Sequence, residues 1–259
     1  MFGMGMTLKI DEMKRISKKP SWVMITIFLQ YSIMPFLAFL IVKIFNFSEE
    51  IALGFIILGS CPGGTASNVI AYICKANVSL SIFCTFISTG LSVILTPFLI
   101  FLLANENIVI DILSLVRSTF YIIFLPVLAG LMVKIVMREI EERYLKFFAF
   151  FSEIIIAFII AIIFSINFDS LNSLSNEMIL GVILHNLIGL SLAFYIAKLL
   201  AYPNDVKRTV AIEVAMQNSG LGMTLALLHY SKIVALPSAL FSLWHNISAA
   251  GLVYLWKKK

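Results

Sequence analysis

Charge is what this sequence has least of. Only 13% of its 259 residues are Asp, Glu, Lys or Arg, against 61% that are hydrophobic. An ordinary soluble domain is nearer a quarter charged. A chain this apolar cannot hide its surface from water, so lipid is its solvent. Cysteine is also scarce: Cys61, Cys74 and Cys84 lack paired metal-ligand spacing and sit in apolar runs. They read as small buried hydrophobes, which argues against a disulfide scaffold or a thiolate metal centre. There is no Walker loop, nucleophile elbow or His/Cys metal cluster, so ATP-driven transport and the common enzyme chemistries have no support. Alternation of period two is missing, which speaks against a β-barrel. Low-complexity stretches and domain-dividing linkers are missing too, and no apolar region precedes the first charges as a signal peptide requires.

What is present is a series of eight apolar segments. They run Trp22–Phe45, Ile51–Cys74, Val78–Leu103, Ile112–Met137, Phe147–Phe168, Met178–Leu200, Val206–Tyr230 and Ile233–Trp256. Each has the ~20 residues a helix needs to cross a hydrocarbon core about 30 Å thick. The expectation is one all-α, multi-pass helical bundle with short loops.

The net charge of +5 sets topology here and does not point to nucleic acid. With the N-terminus on one side and the loops alternating, all but three of the 19 Lys and Arg fall on the N-terminal side. The exceptions are Lys43, Arg117 and Lys232. The positive-inside rule then places both termini in the cytoplasm.

An internal repeat carries more functional information. The run Leu37-Ala38-Phe39-Leu40-Ile41-Val42-Lys43 reappears as Leu192-Ala193-Phe194-Tyr195-Ile196-Ala197-Lys198. The same offset sets Gln30 against His185 and Glu50 against Asp205. It also sets Cys61-Pro62-Gly63-Gly64 against Met216-Gln217-Asn218-Ser219. The copies begin an odd number of helices apart and so face opposite ways, the inverted-topology repeat of alternating-access transporters.

Both matched segments are interrupted at mid-length. Pro62-Gly63-Gly64 removes an amide and permits non-helical dihedrals. Polar residues follow at Thr65, Ser67 and Asn68, and the matching stretch reads Glu213-Val214-Ala215-Met216-Gln217-Asn218-Ser219-Gly220. Broken backbone at membrane depth is tolerated only where protein or a wet cavity satisfies it. Paired breaks of this kind are the expected site of substrate and coupling ion. Glu213 lies within its apolar segment with no Lys or Arg away from the segment ends. An ionised carboxylate there costs several kcal/mol without a compensating charge, so a bound Na⁺ or a proton is its natural partner. Oxygen-bearing side chains near the breaks, Ser67, Asn68, Ser81, Thr85 and Gln217, suit a hard cation.

These residues resemble the bile acid–sodium symporter family, in particular its bacterial members. The resemblance runs from Met1 to about Trp256. It is carried by Gly59-Ser60-Cys61-Pro62-Gly63-Gly64-Thr65-Ala66-Ser67-Asn68, by Glu213 to Gly220, and by Phe241-Ser242-Leu243-Trp244-His245-Asn246-Ile247-Ser248. It implies a ten-helix fold of two inverted five-helix repeats, a core and a panel, with two discontinuous helices crossing near the midplane. On this chain the core would comprise 21–104 and 178–256, and a partial panel 1–20 and 112–168, within one transporter domain over 1–259. The resemblance also implies two sodium sites. One would use Ser67, Asn68, Ser81, Thr85 and Glu213. The other would use Gln30, Glu213, Gln217 and the backbone carbonyls of Val214 and Met216. An organic anion, bile-acid-like or a smaller carboxylate, would meet Thr65, Asn218, His245 and Asn246. The implied partners are therefore Na⁺, that anion and the bilayer of a bacterial inner membrane, with no nucleic acid and no protein partner.

One departure stands out. The family has two helices ahead of the position of Trp22, whereas Met1 to Lys9 resembles only the end of the second, leaving about eight helices of ten. A sodium–organic anion symporter is the leading expectation. A proton-coupled or uncoupled carrier of the same fold, and a non-transporting fragment or receptor, are the alternatives.

Overall fold

The computed structural model describes residues 1–7, 13, 16–137, 142–166 and 175–257. Lys9, Lys14, Arg15, Arg138, Lys258 and Lys259 of the charge count, and Phe168 at the end of the fifth apolar segment, lie outside the described residues. The elements are α1 (Phe2–Thr7), α2 (Pro20–Phe45), α3 (Glu49–Ser60), α4 (Ala66–Ile73) and α5 (Val78–Leu103). Next come α6 (Ile112–Thr119), a π-helical turn (Phe120–Phe124), α7 (Leu125–Met137) and α8 (Glu142–Ile166). The last four are α9 (Asn176–Leu199), α10 (Asn204–Ala215), α11 (Ser219–His229) and α12 (Leu236–Lys257). Among the described residues there is no strand, and the single β-bridge joins Gly63 to Gln217.

The apolar segments become these helices with small shifts at the ends, and Val78–Leu103 keeps both its limits. Among the described residues, four stretches are long and apolar enough to cross a bilayer: α2, α5, the α6–α7 segment and α9. The chain is therefore an all-α, multi-pass membrane protein. Local chemistry sets the ends. Asn77, Asp111 and Ser175 cap α5, α6 and α9 by accepting from the Leu80, Ser114 and Met178 amides, which satisfies donors a helix start leaves unpaired. Asn46 closes α2 in the left-handed conformation, φ 49° and ψ 49°, a role Asn fills more readily than most residues.

One interruption had no counterpart in the sequence reading. Pro126 has no amide to continue the ladder, and the turn before it widens to π geometry. The Leu125 amide there donates to the Phe120 carbonyl. The Ile112–Met137 segment is thus two helices about a π turn.

Apolar side chains cover the outside of the bundle, and a cluster of polar ones is buried within an otherwise apolar core. Phe28, Phe36, Phe98, Phe101, Phe151 and Phe158 are exposed, while Gln30, Ser67, Ser81, Thr85, His185, Asn186, Thr209 and Glu213 are buried. Between α2 and α9 the packing rests on small residues. Gly181, Gly189, Ala193 and Ala197 share one buried face of α9, and a Cβ on Gly189 would collide with the Met34 sulfur. In lipid, where apolar burial gives helices little attraction, close approach through such faces supplies the van der Waals contact. A comparable approach joins α1 to α7 at Gly5 and Gly130, each packed against the other helix's backbone. A cavity of about 460 Å³ opens where α2 ends and α3 begins. Lys43, Asn46, Glu49, Asn105 and Asn107 line it, and none of the expected site residues does.

Candidate functional site

Two broken helix pairs meet at the centre. Cys61 is extended, φ −71° and ψ 156°, as the residue before a proline is pressed to be, and α3 therefore stops at Ser60. The chain resumes as α4 only at Ala66. On the other side α10 stops at Ala215 and α11 starts at Ser219, with Asn218 capping it through the Leu221 amide. The two unwound stretches run antiparallel and satisfy each other. The Gly64 amide donates to the Met216 carbonyl at 2.6 Å, and the Asn218 amide donates to the Pro62 carbonyl at 2.8 Å. Unpaired backbone groups at this depth would each cost several kcal/mol, so the crossing holds only as a pair. Gly64 is required by this approach, because a Cβ there would lie 2.9 Å from the Gln217 carbonyl oxygen.

Glu213, one half-turn before the end of α10, points across the crossing. Its carboxylate accepts from Ser67 Oγ at 2.5 Å, from Ser81 Oγ, and from Thr85 Oγ1 at 2.8 Å. Asn68 Oδ1 accepts from Ser81 Oγ at 2.8 Å and sits 3.4 Å from Thr85 Oγ1. All five residues expected in the first ion set are thus brought together. The balance of protons is the telling feature. Two carboxylate oxygens, one amide oxygen and the Ser81 carbonyl, which Thr85 Oγ1 also reaches at 3.0 Å, compete for three hydroxyl protons, since each hydroxyl donates only once. Among the described residues no Lys or Arg bonds to Glu213. Such a cluster is rich in oxygen, poor in donors and, apart from Asn68, buried, and a small hard cation fits it.

Two side chains of the second expected set, Gln30 and Gln217, meet at the same crossing. Gln30 Nε2 donates to the Cys61 carbonyl at 3.0 Å. With its amide turned to match its neighbours, Gln217 accepts from Gln30 Nε2 at 3.0 Å and donates to the same Cys61 carbonyl at 2.7 Å. Gln30 Oε1 is left buried with no donor. A buried acceptor with nothing to accept is uncommon and again suits a cation. Met216 O is engaged by Gly64 but keeps a second lone pair, and Val214 is buried next to Glu213.

The four residues expected around an organic anion are held less tightly. Thr65 precedes α4 without a side-chain capping bond. Asn218 Nδ2 and His245 Nδ1 are buried and unpartnered. Asn246 is exposed, and its Nδ2 donates to the Ser242 carbonyl of its own helix at 2.7 Å. No hydrogen bond joins these four side chains to one another among the described residues.

Two arrangements escaped the sequence reading. Asn186 of α9 donates to the Ala215 carbonyl at 2.9 Å and accepts from Trp244 Nε1 at 3.2 Å. An amide inside an apolar helix, next to the His185 that the repeat had already singled out, was the available signal. Thr209 forms the other: its Oγ1 accepts from the Asn77 amide at 2.8 Å and donates to the Asp205 carbonyl at 3.0 Å. It lies one turn before Glu213, as Asn77 lies one turn before Ser81.

The model of the Sodium Bile acid symporter family matches residues 1–174. The uncharacterized sodium-dependent transporter YocS of Bacillus subtilis (strain 168) is 42% identical over all of this chain and 81% of its own length. The probable sodium/metabolite cotransporter BASS1, chloroplastic, of Arabidopsis thaliana is 34% identical over all of this chain and 65% of its own. The ileal sodium/bile acid cotransporter of Oryctolagus cuniculus is 28% identical over 89% of this chain and 67% of its own. The chain thus spans four fifths of the bacillar relative and somewhat under two thirds of the plant one. These relatives are named as transporters, not enzymes. A crossing of broken helices around a donor-poor carboxylate, buried in a membrane bundle, stands here beside those matches: the chain belongs to the sodium bile acid symporter family.

Proposed function

We propose that this protein is a sodium-coupled symporter that imports an organic anion by alternating access. The observation that carries the reading is the proton-poor oxygen cage around Glu213 at the helix crossing. Two Na⁺ bind there. Ser67, Asn68, Ser81, Thr85 and Glu213 hold one. Gln30, Glu213, Gln217 and the carbonyls of Val214 and Met216 hold the other. The unpaired donor on Asn218, with Thr65, His245 and Asn246, meets the carboxylate of the anion, a bile-acid-like or smaller molecule. Residues 21–104 and 178–256 act as the core carrying these sites, and 112–168 with 1–20 belong to the panel against which it rocks. Their inverted repeat makes the two orientations of the core near-equivalent in energy. Loop charge supports cytoplasmic termini, and the likeness to the bacillar relative supports a bacterial inner-membrane location.

Competition among fixed acceptors for too few protons favours sodium over a titrating Glu213. A proton would satisfy only one of the competing oxygens, whereas a cation serves all of them at once. Uptake of labelled bile acids and small carboxylates by cells or vesicles carrying the chain, in Na⁺ against choline medium, tests the proposal. Uptake that requires Na⁺ supports it. Uptake of equal rate in choline, driven by a pH gradient, contradicts it.

A further inference from the structure

One buried side chain ties three elements together at the edge of the crossing. Asn186 on α9 is fully buried. Its Nδ2 donates to the carbonyl of Ala215, the last helical residue of α10. Its Oδ1 accepts from the indole of Trp244 on α12, the residue before His245. The Ala215 carbonyl is one of those that a helix end leaves without an intrahelical partner. Its two peptide neighbours are the Val214 and Met216 carbonyls of the second proposed sodium site. Fixing the peptide between them fixes the direction in which both point.

The arrangement has a counterpart across the crossing. Gln30 on α2 donates to the Cys61 carbonyl just past the end of α3. Each broken helix therefore ends on a carbonyl held by an amide side chain from a neighbouring long helix. Gln30 spends its remaining oxygen on no protein group. Asn186 spends its own on Trp244.

We infer that Asn186 is a positioning residue for the second sodium site, and that Trp244 links that site to α12 through it. The inference rests on the sodium reading proposed above. Asn186 does not touch the ion. It holds the Ala215 peptide so that the flanking carbonyls face the ion, and the Trp244 bond makes that hold depend on where α12 sits. Any ligand that shifts α12 near His245 then changes sodium affinity, and sodium changes the affinity for that ligand by the same factor, as linkage demands.

The test uses the full chain purified in detergent, with thermal unfolding followed against NaCl in place of choline chloride. Wild type should be stabilised saturably by Na⁺. Asn186→Ala should raise the half-saturating Na⁺ concentration about tenfold or more, in the range seen when a group that orients metal ligands is removed. Trp244→Phe keeps the ring and loses only the donor, so it should fold and give a smaller rise. The double variant should respond like Asn186→Ala alone, because Trp244 acts through Asn186. Asn186→Ala and Trp244→Phe that lower the melting temperature without Na⁺ yet keep the wild-type half-saturation would reduce both residues to packing and overturn the inference. A wild type indifferent to Na⁺ overturns the sodium reading itself and this inference with it.

Discussion

The Gly64 amide lies 2.6 Å from the carbonyl oxygen of Met216, and through that bond each broken helix is completed by the other. Residue 64 lies within one break and residue 216 opens the other, so neither break is tenable alone in lipid. The pairing also brings Ser67, in the first turn of α4, to the carboxylate of Glu213 near the end of α10. The backbone exchange and the oxygen cage are consequences of one geometry.

Gly64→Ala therefore tests the crossing without replacing a side chain of either proposed ion site. Its Cβ would sit 2.9 Å from the Gln217 carbonyl oxygen and 3.3 Å from that of Met216. Both are backbone atoms and cannot step aside. The expected loss is about 1–3 kcal/mol, read as a fall in melting temperature in detergent. Gly251→Ala is the contrast, since nothing lies within 4 Å of its Cβ position. It should be neutral or stabilising by up to about 1 kcal/mol from helix propensity. Equal effects at the two glycines would count against the tight crossing.

The two ion sets separate by substitution. Gln30→Ala should raise the sodium concentration for half-maximal uptake through one set, and Ser81→Ala or Thr85→Ala through the other. Ser81 and Thr85 bond the same carboxylate, so their double variant should fall well short of additive. Gln30 with Ser81 should be nearer additive. Unchanged sodium affinity in all three single variants would show that these oxygens are misassigned.

Thr209→Val probes the support beneath the carboxylate. The replacement keeps the shape but removes the acceptor of the Asn77 amide and the donor to the Asp205 carbonyl. The lost bonds are part-buried, and the Asn77 amide keeps a 3.3 Å approach to the Asp205 carbonyl, so the expected loss is about 0.5–1.5 kcal/mol, visible as a lower melting temperature. A melting temperature equal to wild type would mean that this clamp does not hold the start of α10 against α5.

Much of this architecture is legible in the sequence, for identifiable reasons. Val78–Leu103 is a single apolar run between Asn77 and Ala104, and the helix occupies it without a shift. Pro62 with two glycines marks the first break directly. The second break carries no proline or double glycine, and only its alignment with the first reveals it; the helix there ends at Ala215. Glu213 is conspicuous as a carboxylate among apolar neighbours, and the hydroxyls at Ser67, Ser81 and Thr85 do gather on it. The π turn was not legible, because Pro126 near the middle of an apolar segment is equally compatible with a simple kink. Asn186 and Thr209 were hidden for another reason. A lone amide or hydroxyl in a membrane helix most often bonds its own backbone, as Asn246 does here. Only the placement of α10 shows that these two reach across to other elements.

Sodium binding at Glu213 is the central claim, and equilibrium binding of radiolabelled Na⁺ to the purified full chain measures it most directly. Wild type should bind Na⁺ saturably, with unlabelled Na⁺ competing and K⁺ failing to compete. Glu213→Ala, lacking the one carboxylate shared by both proposed sites, should bind none above background while remaining folded by its helical spectrum. Saturable Na⁺ binding of wild-type affinity in folded Glu213→Ala would contradict the account.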